Sequence, residues 1–585
     1  MGVKLRAWVV AAVALTALSS AAADDGQWPR AGGDFASTRY SPLAQITSAN
    51  VGTLRLVWSA TFGERRGQEG TPLVVGDTMY VVGPYPNVLY AFDLARGGAL
   101  RWRYEPHPDS AAQGVACCDV VNRGPAYGDG LVVFNTLDAH TVAVDARTGR
   151  ETWKTRLGDV TRGESMTMAP LIVRDRVLVG NSGGEMGVRG WLAALELRTG
   201  RIAWRAWSTG SDRDVLIGPG FRPFYAADRG HDLGTSSWPP QAWTTGGGAV
   251  EGWISYDPAL DLLYHGTGQP APANPGQRPG DNKWTATIFA RRPATGEAVW
   301  AYQTSPHDQY GHGSTSELVL VDLDLGGRRR AVLLHPDANG YVYVMDRATG
   351  EVLSATPFVP VTASRGVQAS SGRLQYDARK SLDAGRVGRH VCPGAAGAKS
   401  RQPAAWSPRT GWLYIPHQNL CMDVEPSEVS YIAGTPYLGT DARMYAGPGG
   451  GERGALTAWD PVAGKAAWTR AERFPVWSGV LATAGDVVFY GTMDRQFKAV
   501  HARTGELLWR AEAASGIVGP PITYRGPDGR QYVAVLSGVG GWAGSIVSAD
   551  LDARDASAGR GFAGAMRDLP RHTGKGGTLY VFALP

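Results

Sequence analysis

Cysteine is scarce in this chain: four occur among 585 residues, at positions 117, 118, 392 and 421. None lies in a Cys-x-x-Cys-His run, which excludes a covalently attached haem. A strong charge of one sign is also missing. The formal net charge is +5 at pH 7, and the basic residues are dispersed, which argues against a nucleic-acid partner. No apolar run reaches the roughly 20 residues that a membrane-spanning helix needs. Long amphipathic helical periods are absent as well, which excludes a stack of βαβ units.

What is present begins with an address. Lys4 and Arg6 give a charged start, residues 7–18 are apolar, and Ala21-Ala22-Ala23 offers a small-residue cleavage site before Asp24. Residues 1–23 are therefore expected to be an export signal, leaving a soluble periplasmic chain of net charge about +3 in a compartment where disulfides persist.

Glycine (78) and tryptophan (20) are abundant, which suits a turn-rich β protein. A repeat organises them: a small residue, an acid two positions on, then Gly and Trp. It reads Ala143, Asp145, Gly149, Trp153, and returns at Ala194, Glu196, Gly200, Trp204 and at Ala458, Asp460, Gly464, Trp468. Copies without the acid are Ala290, Gly296, Trp300 and Ala499, Gly505, Trp509. Weaker copies are Ala91, Asp93, Gly98, Trp102 and Asp346, Gly350, with Ser354 in place of tryptophan. Each copy joins two short strands through a turn, with the tryptophan free to pack between neighbouring units. Four strands every 40–50 residues or so is the period of a propeller blade. Seven explicit copies, plus an eighth unit assembled from C-terminal strands and the segment around Trp58, predict an all-β chain. It would be a single eight-bladed β-propeller over 24–585, its terminal strands closing one blade and removing a free edge. Residues 205–250 and 355–400 exceed a blade's needs and are expected to be functional insertions.

The adjacent Cys117 and Cys118 are an odd crosslink. Their Cα atoms are separated by about 3.8 Å in a trans peptide, against roughly 4.4–6.8 Å in a relaxed disulfide. A bond between them constrains no chain and serves best as a rigid plate for a flat molecule. Two buried thiols, or two bridges to different partners, are the alternatives, since four cysteines allow three pairings.

The flanking residues add a resemblance. Cys117-Cys118-Asp119-Val120-Val121-Asn122-Arg123-Gly124 resembles the ring-disulfide segment of quinoprotein alcohol dehydrogenases, the methanol and ethanol dehydrogenase type, which use pyrroloquinoline quinone (PQQ). The resemblance runs from Trp28 to the last strand. It implies that the Cys117–Cys118 ring covers one face of PQQ, that Arg123 holds the cofactor, and that Cys392 and Cys421 form the other bridge. Glu69, Thr167, Ser182, Gly183, Gly184, Ser400 and Trp477 fall on further cofactor contacts. Trp243, before Gly246-Gly247-Gly248, is expected to stack on the opposite face; otherwise it is a core aromatic. Glu185 and Gln269 match metal ligands; otherwise Glu185 is a solvated loop acid. Oxygen donors suit a hard cation such as calcium.

Other positions depart from that family. Gln269 replaces an asparagine, Gly311 the catalytic aspartate, Gly313 the extra aspartate of the lanthanide-dependent branch, and Ala338 a basic residue beside the quinone; Ser400 aligns with an asparagine. The losses gather where the chemistry would occur. His312, and less so Asp308, are left as candidate bases, and Tyr310 with Gly311 and Ala338 suggests room for a bulky alcohol. The expected function is a PQQ-dependent alcohol dehydrogenase passing electrons to a separate soluble c-type cytochrome, with a homodimer as one assembly. A catalytically silent PQQ- or partner-binding propeller is the alternative.

Overall fold

In every copy of the repeat, the small residue and the last position stand opposite each other across two hydrogen-bonded strands. Ala143 pairs with Trp153, Ala194 with Trp204, Ala290 with Trp300, Ala458 with Trp468, Ala499 with Trp509 and Ala91 with Trp102. Where serine replaces tryptophan, Val344 faces Ser354. A one-residue register shift beside each of these pairs marks a bulge, which turns the strand and strengthens its twist.

The computed structural model describes residues 26–116, 119–548, 559 and 561–585. The expected export signal and the Cys117–Cys118 ring lie outside them. Strands Leu73–Val75, Thr78–Val82, Leu89–Asp93 and Ala99–Tyr104 form one antiparallel sheet. Sheets of the same order follow over 126–156, 171–207, 254–303, 319–357, 405–472 and 481–512, the last also holding Tyr40–Ser41 in parallel. The closing sheet joins Ile522–Arg525, Gln531–Ser537 and Thr578–Ala583 to Arg55–Thr61 from the N-terminal side. That is the closure read from the sequence.

The repeat tryptophans tie consecutive sheets together. A Cβ on Gly200 would come within 2.5 Å of the Trp153 ring of the preceding sheet, and Gly200 has φ +70, so glycine lets the indole lie flat on the turn. The same contact joins Gly98 to Trp58, Gly149 to Trp102, Gly296 to Trp204, Gly350 to Trp300 and Gly505 to Trp468. The indole N–H groups of Trp153, Trp204, Trp300 and Trp468 donate to carbonyls of the next sheet, at Leu197, Pro293, Arg347 and Ala502. Trp509 meets Phe582 of the closing sheet at 5.2 Å, which completes the circuit. The fold is an all-β propeller.

The insertions gather over one end. Residues 205–250 hold only short helical turns, and 355–400 a strand pair, Ser364–Val367 with Leu374–Tyr376. The sequence reading missed two further pieces: a hairpin of Leu420–Pro426 and Thr440–Ala446, and the helices Gly541–Ser548 and Phe562–Met566. Met422, Met444, Phe562 and Met566 bury together between them. A disulfide joins Cys392 to Cys421, as the resemblance implied, and fastens the strand Gly388–Val391 to this hairpin. No helix among the described residues is long and apolar enough to cross a membrane.

Candidate active site

Below the inserted cluster lies a cavity of about 100 Å³ that opens to solvent. Trp477, Val518, Gly541 and Trp542 bring it into contact with the insertions. Trp477 stacks on Phe562 at 5.0 Å and nearly parallel, and its indole N–H donates to Gln418.

Charge dominates the lining. Arg123 and Glu69 form an ion pair at 3.0 Å, and Arg123 also donates to the Thr167 hydroxyl at 2.7 Å. Thr167 in turn meets the Ser182 hydroxyl at 2.9 Å. Arg401 and Glu251 form a second pair at 3.0 Å, with Arg401 donating to Ser400 Oγ at 2.8 Å. Burial outweighs Glu69 in pulling the Arg123 guanidinium below its ordinary value, and Arg401 adds to that fall. Burial opposes charge on Arg401 too, yet Glu251, Glu69 and Glu185 together carry it above the usual value. Each arginine keeps a buried Nε without a hydrogen-bond partner. Such donors are costly to leave unmade, and two of them in one cavity fit a ligand with several carboxylates. Glu185 and Gln269 line the same cavity and offer oxygen donors to a hard cation. Among the described residues, the one group of three His, Cys, Asp or Glu side chains close enough to share an ion is His390 with Cys392 and Cys421, whose sulfurs are bonded to each other.

Of the residues expected at the site, Glu69, Arg123, Glu185, Gln269, Ser400 and Trp477 line the cavity. Thr167 and Ser182 stand behind Arg123, while Gly183 and Gly184 begin the turn that carries Glu185. Trp243 is half-buried outside the lining, with its ring under the Arg189 guanidinium at 4.8 Å. His312 and Asp308 also stand outside the lining. His312 is 2% exposed, its Nε2 lies 3.2 Å from the Gly394 carbonyl, and it does not line the cavity. Asp308 accepts the N–H groups of Tyr310, Gly311 and His312 and so holds the turn. Tyr310 is buried with its hydroxyl donating to the Lys380 carbonyl; Gly311, Gly313 and Ala338 do line the cavity.

The sequence reading missed Glu251, Trp253, Lys399, Arg401 and Trp542 as lining residues. The available signal was the glycine run 246–248, after which the chain passes close to other backbone. The Gly248 N–H donates to the Gln269 carbonyl at 3.0 Å, and a Cβ on Gly252 would overlap the Thr315 carbonyl. Lys399 is held by Glu317 at 2.8 Å, both fully buried, with burial lowering its pKa.

Comparison with known proteins agrees with this geometry. Residues 28–371 and 454–533 match the glucose/ethanol/alcohol dehydrogenase β-propeller domain family of PQQ proteins. The chain is 48% identical to a lanthanide-dependent methanol dehydrogenase of Methylacidiphilum fumariolicum (strain SolV), covering 96% of this chain and 93% of that protein. It is 41% identical to methanol dehydrogenase [cytochrome c] subunit 1 of Methylobacterium organophilum, over 96% and 91%. A solved europium-containing methanol dehydrogenase superposes with a TM-score of 0.94 at 48% identity, covering 96% of this chain and 98% of that one. The chain belongs to the PQQ-dependent alcohol dehydrogenase family.

Proposed function

We propose that the chain is a periplasmic PQQ-dependent alcohol dehydrogenase, a single domain over 24–585 whose sheets count as eight blades, exported by the signal at 1–23. The observation that carries this reading is the pair of buried arginines, Arg123 and Arg401, each with an Nε lacking a partner in one cavity. They would take carboxylates of PQQ, with Glu69 on its rim, Trp477 and Ser400 beside it, and the Cys117–Cys118 ring against one face. The bound quinone supplies the two-electron acceptor; the chain binds, orients and moves the alcohol proton. Glu185 and Gln269 would hold the metal.

Calcium is the proposed ion. A side chain at Gly313 has no room, since a Cβ there would come within 2.7–2.9 Å of the Gly268–Gln269 backbone, and Gly311 adds no ligand. The site therefore lacks the negative charge that would favour a trivalent ion over a divalent one. Gly311 and Ala338 present little or no side chain to the cavity, which suits an alcohol larger than methanol. With no haem motif in the chain, electrons pass to a separate soluble c-type cytochrome; a relative's name includes cytochrome c.

A second reading, a silent PQQ-binding propeller, is favoured by one observation: neither His312 nor Asp308 reaches the cavity. Reconstitution with PQQ and calcium, followed by dye reduction across alcohols of increasing size, separates the two. Oxidation of any alcohol supports the enzyme; stoichiometric PQQ without turnover selects the silent binder.

A further inference from the structure

The cavity contains an acid–cation pair that no residue of the expected site supplies. Glu251 and Arg401 come from separate parts of the chain, meet at 3.0 Å, and both line the wall that holds Gly311 and Ala338. Backbone contacts set these segments side by side. Gly252 abuts the Thr315 carbonyl and Gly313 abuts Gly268 and Gln269, while Gly248 donates to Gln269. The Arg401 carbonyl accepts the Trp253 indole N–H at 2.7 Å, and the Ser400 carbonyl accepts the Ser316 hydroxyl at 3.0 Å. The stretches 248–253, 268–269, 311–316 and 400–401 thus form one wall.

The carboxylates on the cavity can be sorted by their duties. Glu69 is placed on the rim of the cofactor beside Arg123, and Glu185 is the proposed metal ligand. Asp308 spends its oxygens on three backbone N–H groups outside the cavity. Glu251 is left, lining the same cavity as Gly311, which has no side chain. Its side chain is 12% exposed, enough to meet a substrate entering the cavity.

We infer that Glu251 is the proton acceptor for the alcohol hydroxyl and that Arg401 positions it. This rests on the alcohol dehydrogenase reading above. The alcohol O–H proton passes to a Glu251 carboxylate oxygen. PQQ, when bound, would supply the two-electron acceptor for the carbon-bound hydrogen and its electron pair, so that the alcohol becomes a carbonyl compound. Arg401 orients the carboxylate through Nη2 and is itself steadied by Ser400. General-base catalysis of this kind is worth about 10²–10⁴ in rate.

The test uses full-length protein loaded with PQQ and calcium, with ethanol, butan-1-ol and benzyl alcohol as substrates and an artificial electron acceptor. PQQ retained after gel filtration is measured for every variant, and unfolding transitions report folding. Glu251→Gln is expected to retain PQQ as wild type does, lose at least about 100-fold in kcat, and lose the acidic limb of the pH profile. Glu251→Asp, which keeps the carboxylate, recovers part of the rate. Arg401→Gln, compared in protein that retains PQQ, is expected to lower kcat with KM little changed, and Arg401→Lys to recover part of kcat; a purely structural role would lower stability or PQQ retention without that split. Glu251→Gln with wild-type turnover and an intact acidic limb overturns the inference and leaves the functional reading standing. Wild-type protein that retains PQQ but oxidises no alcohol overturns the inference and selects the silent binder. Wild-type protein that retains no PQQ overturns both.

Discussion

Asp119, next to the expected ring cysteines, carries an unusual burden. Burial raises its carboxyl to about 6, against weaker help for the anion from the Val120 N–H and Arg66. A carboxyl whose folded pKa is raised favours the folded state while protonated. Its contribution is full below the unfolded value of about 3.9 and is lost as pH rises through about 6. Asp119→Asn cannot ionise, so it should match wild type near pH 4 and exceed it by about 3 kcal/mol near pH 8 in urea unfolding. A difference that does not change with pH would contradict this. His312 gives a second residue-scale expectation. Because it faces Gly394 in the interior, His312→Ala should lower stability by about 1–3 kcal/mol and leave kcat of PQQ-loaded protein within a few-fold. A hundredfold loss in kcat would return it to the list of bases. At this scale the sequence was legible where a motif is contiguous, as with Arg123 and Glu185. It was illegible where the partner comes from elsewhere in the chain. Nothing around Glu251 names Arg401, 150 positions on, as its partner. A histidine next to Gly311 looks like a base until its ring is seen buried against a carbonyl.

Between elements, the repeat makes a coupled pair of each Gly and the tryptophan before it. Trp153 is buried against Gly200 and donates to Leu197, so Trp153→Ala should cost about 3–5 kcal/mol. Gly200→Ala should cost about 1–3 kcal/mol through overlap with the ring and its left-handed backbone. In the Trp153→Ala background the overlap is gone, and the glycine substitution should cost at least about 1 kcal/mol less. Strict additivity would sink the account of the repeat as an inter-sheet lock. The Cys392–Cys421 bridge, with a sequence separation of 29, should contribute about 2–4 kcal/mol. Replacing both cysteines by serine should therefore lower the unfolding midpoint and speed the loss of bound PQQ, because the bridge anchors the cover over the cavity. Unchanged PQQ retention would show that the cover is held by its apolar packing alone. Strand pairing of this kind was readable because Gly, Trp and the small residue recur at fixed offsets. The hairpin over 420–446 and the helices after Gly541 were not, since they occur once each and are short. Their burial depends on one another, through Met422, Met444 and Phe562, and no local period records that.

For the whole molecule, closure by Arg55–Thr61 on Thr578–Ala583 completes the ring of sheets that carries the charged cavity, and the central claim concerns what that cavity holds. The ring of sheets could be inferred from composition and repeat alone. The wall of the cavity could not, because it is assembled from backbone contacts among glycines at 248, 252 and 313. One measurement bears on the claim most directly: the absorption spectrum and metal content of the protein after incubation with PQQ and calcium and removal of the unbound material. The account predicts about one PQQ and one calcium per chain, with bleaching of the quinone spectrum on addition of an alcohol. Protein that emerges with neither PQQ nor calcium would contradict it.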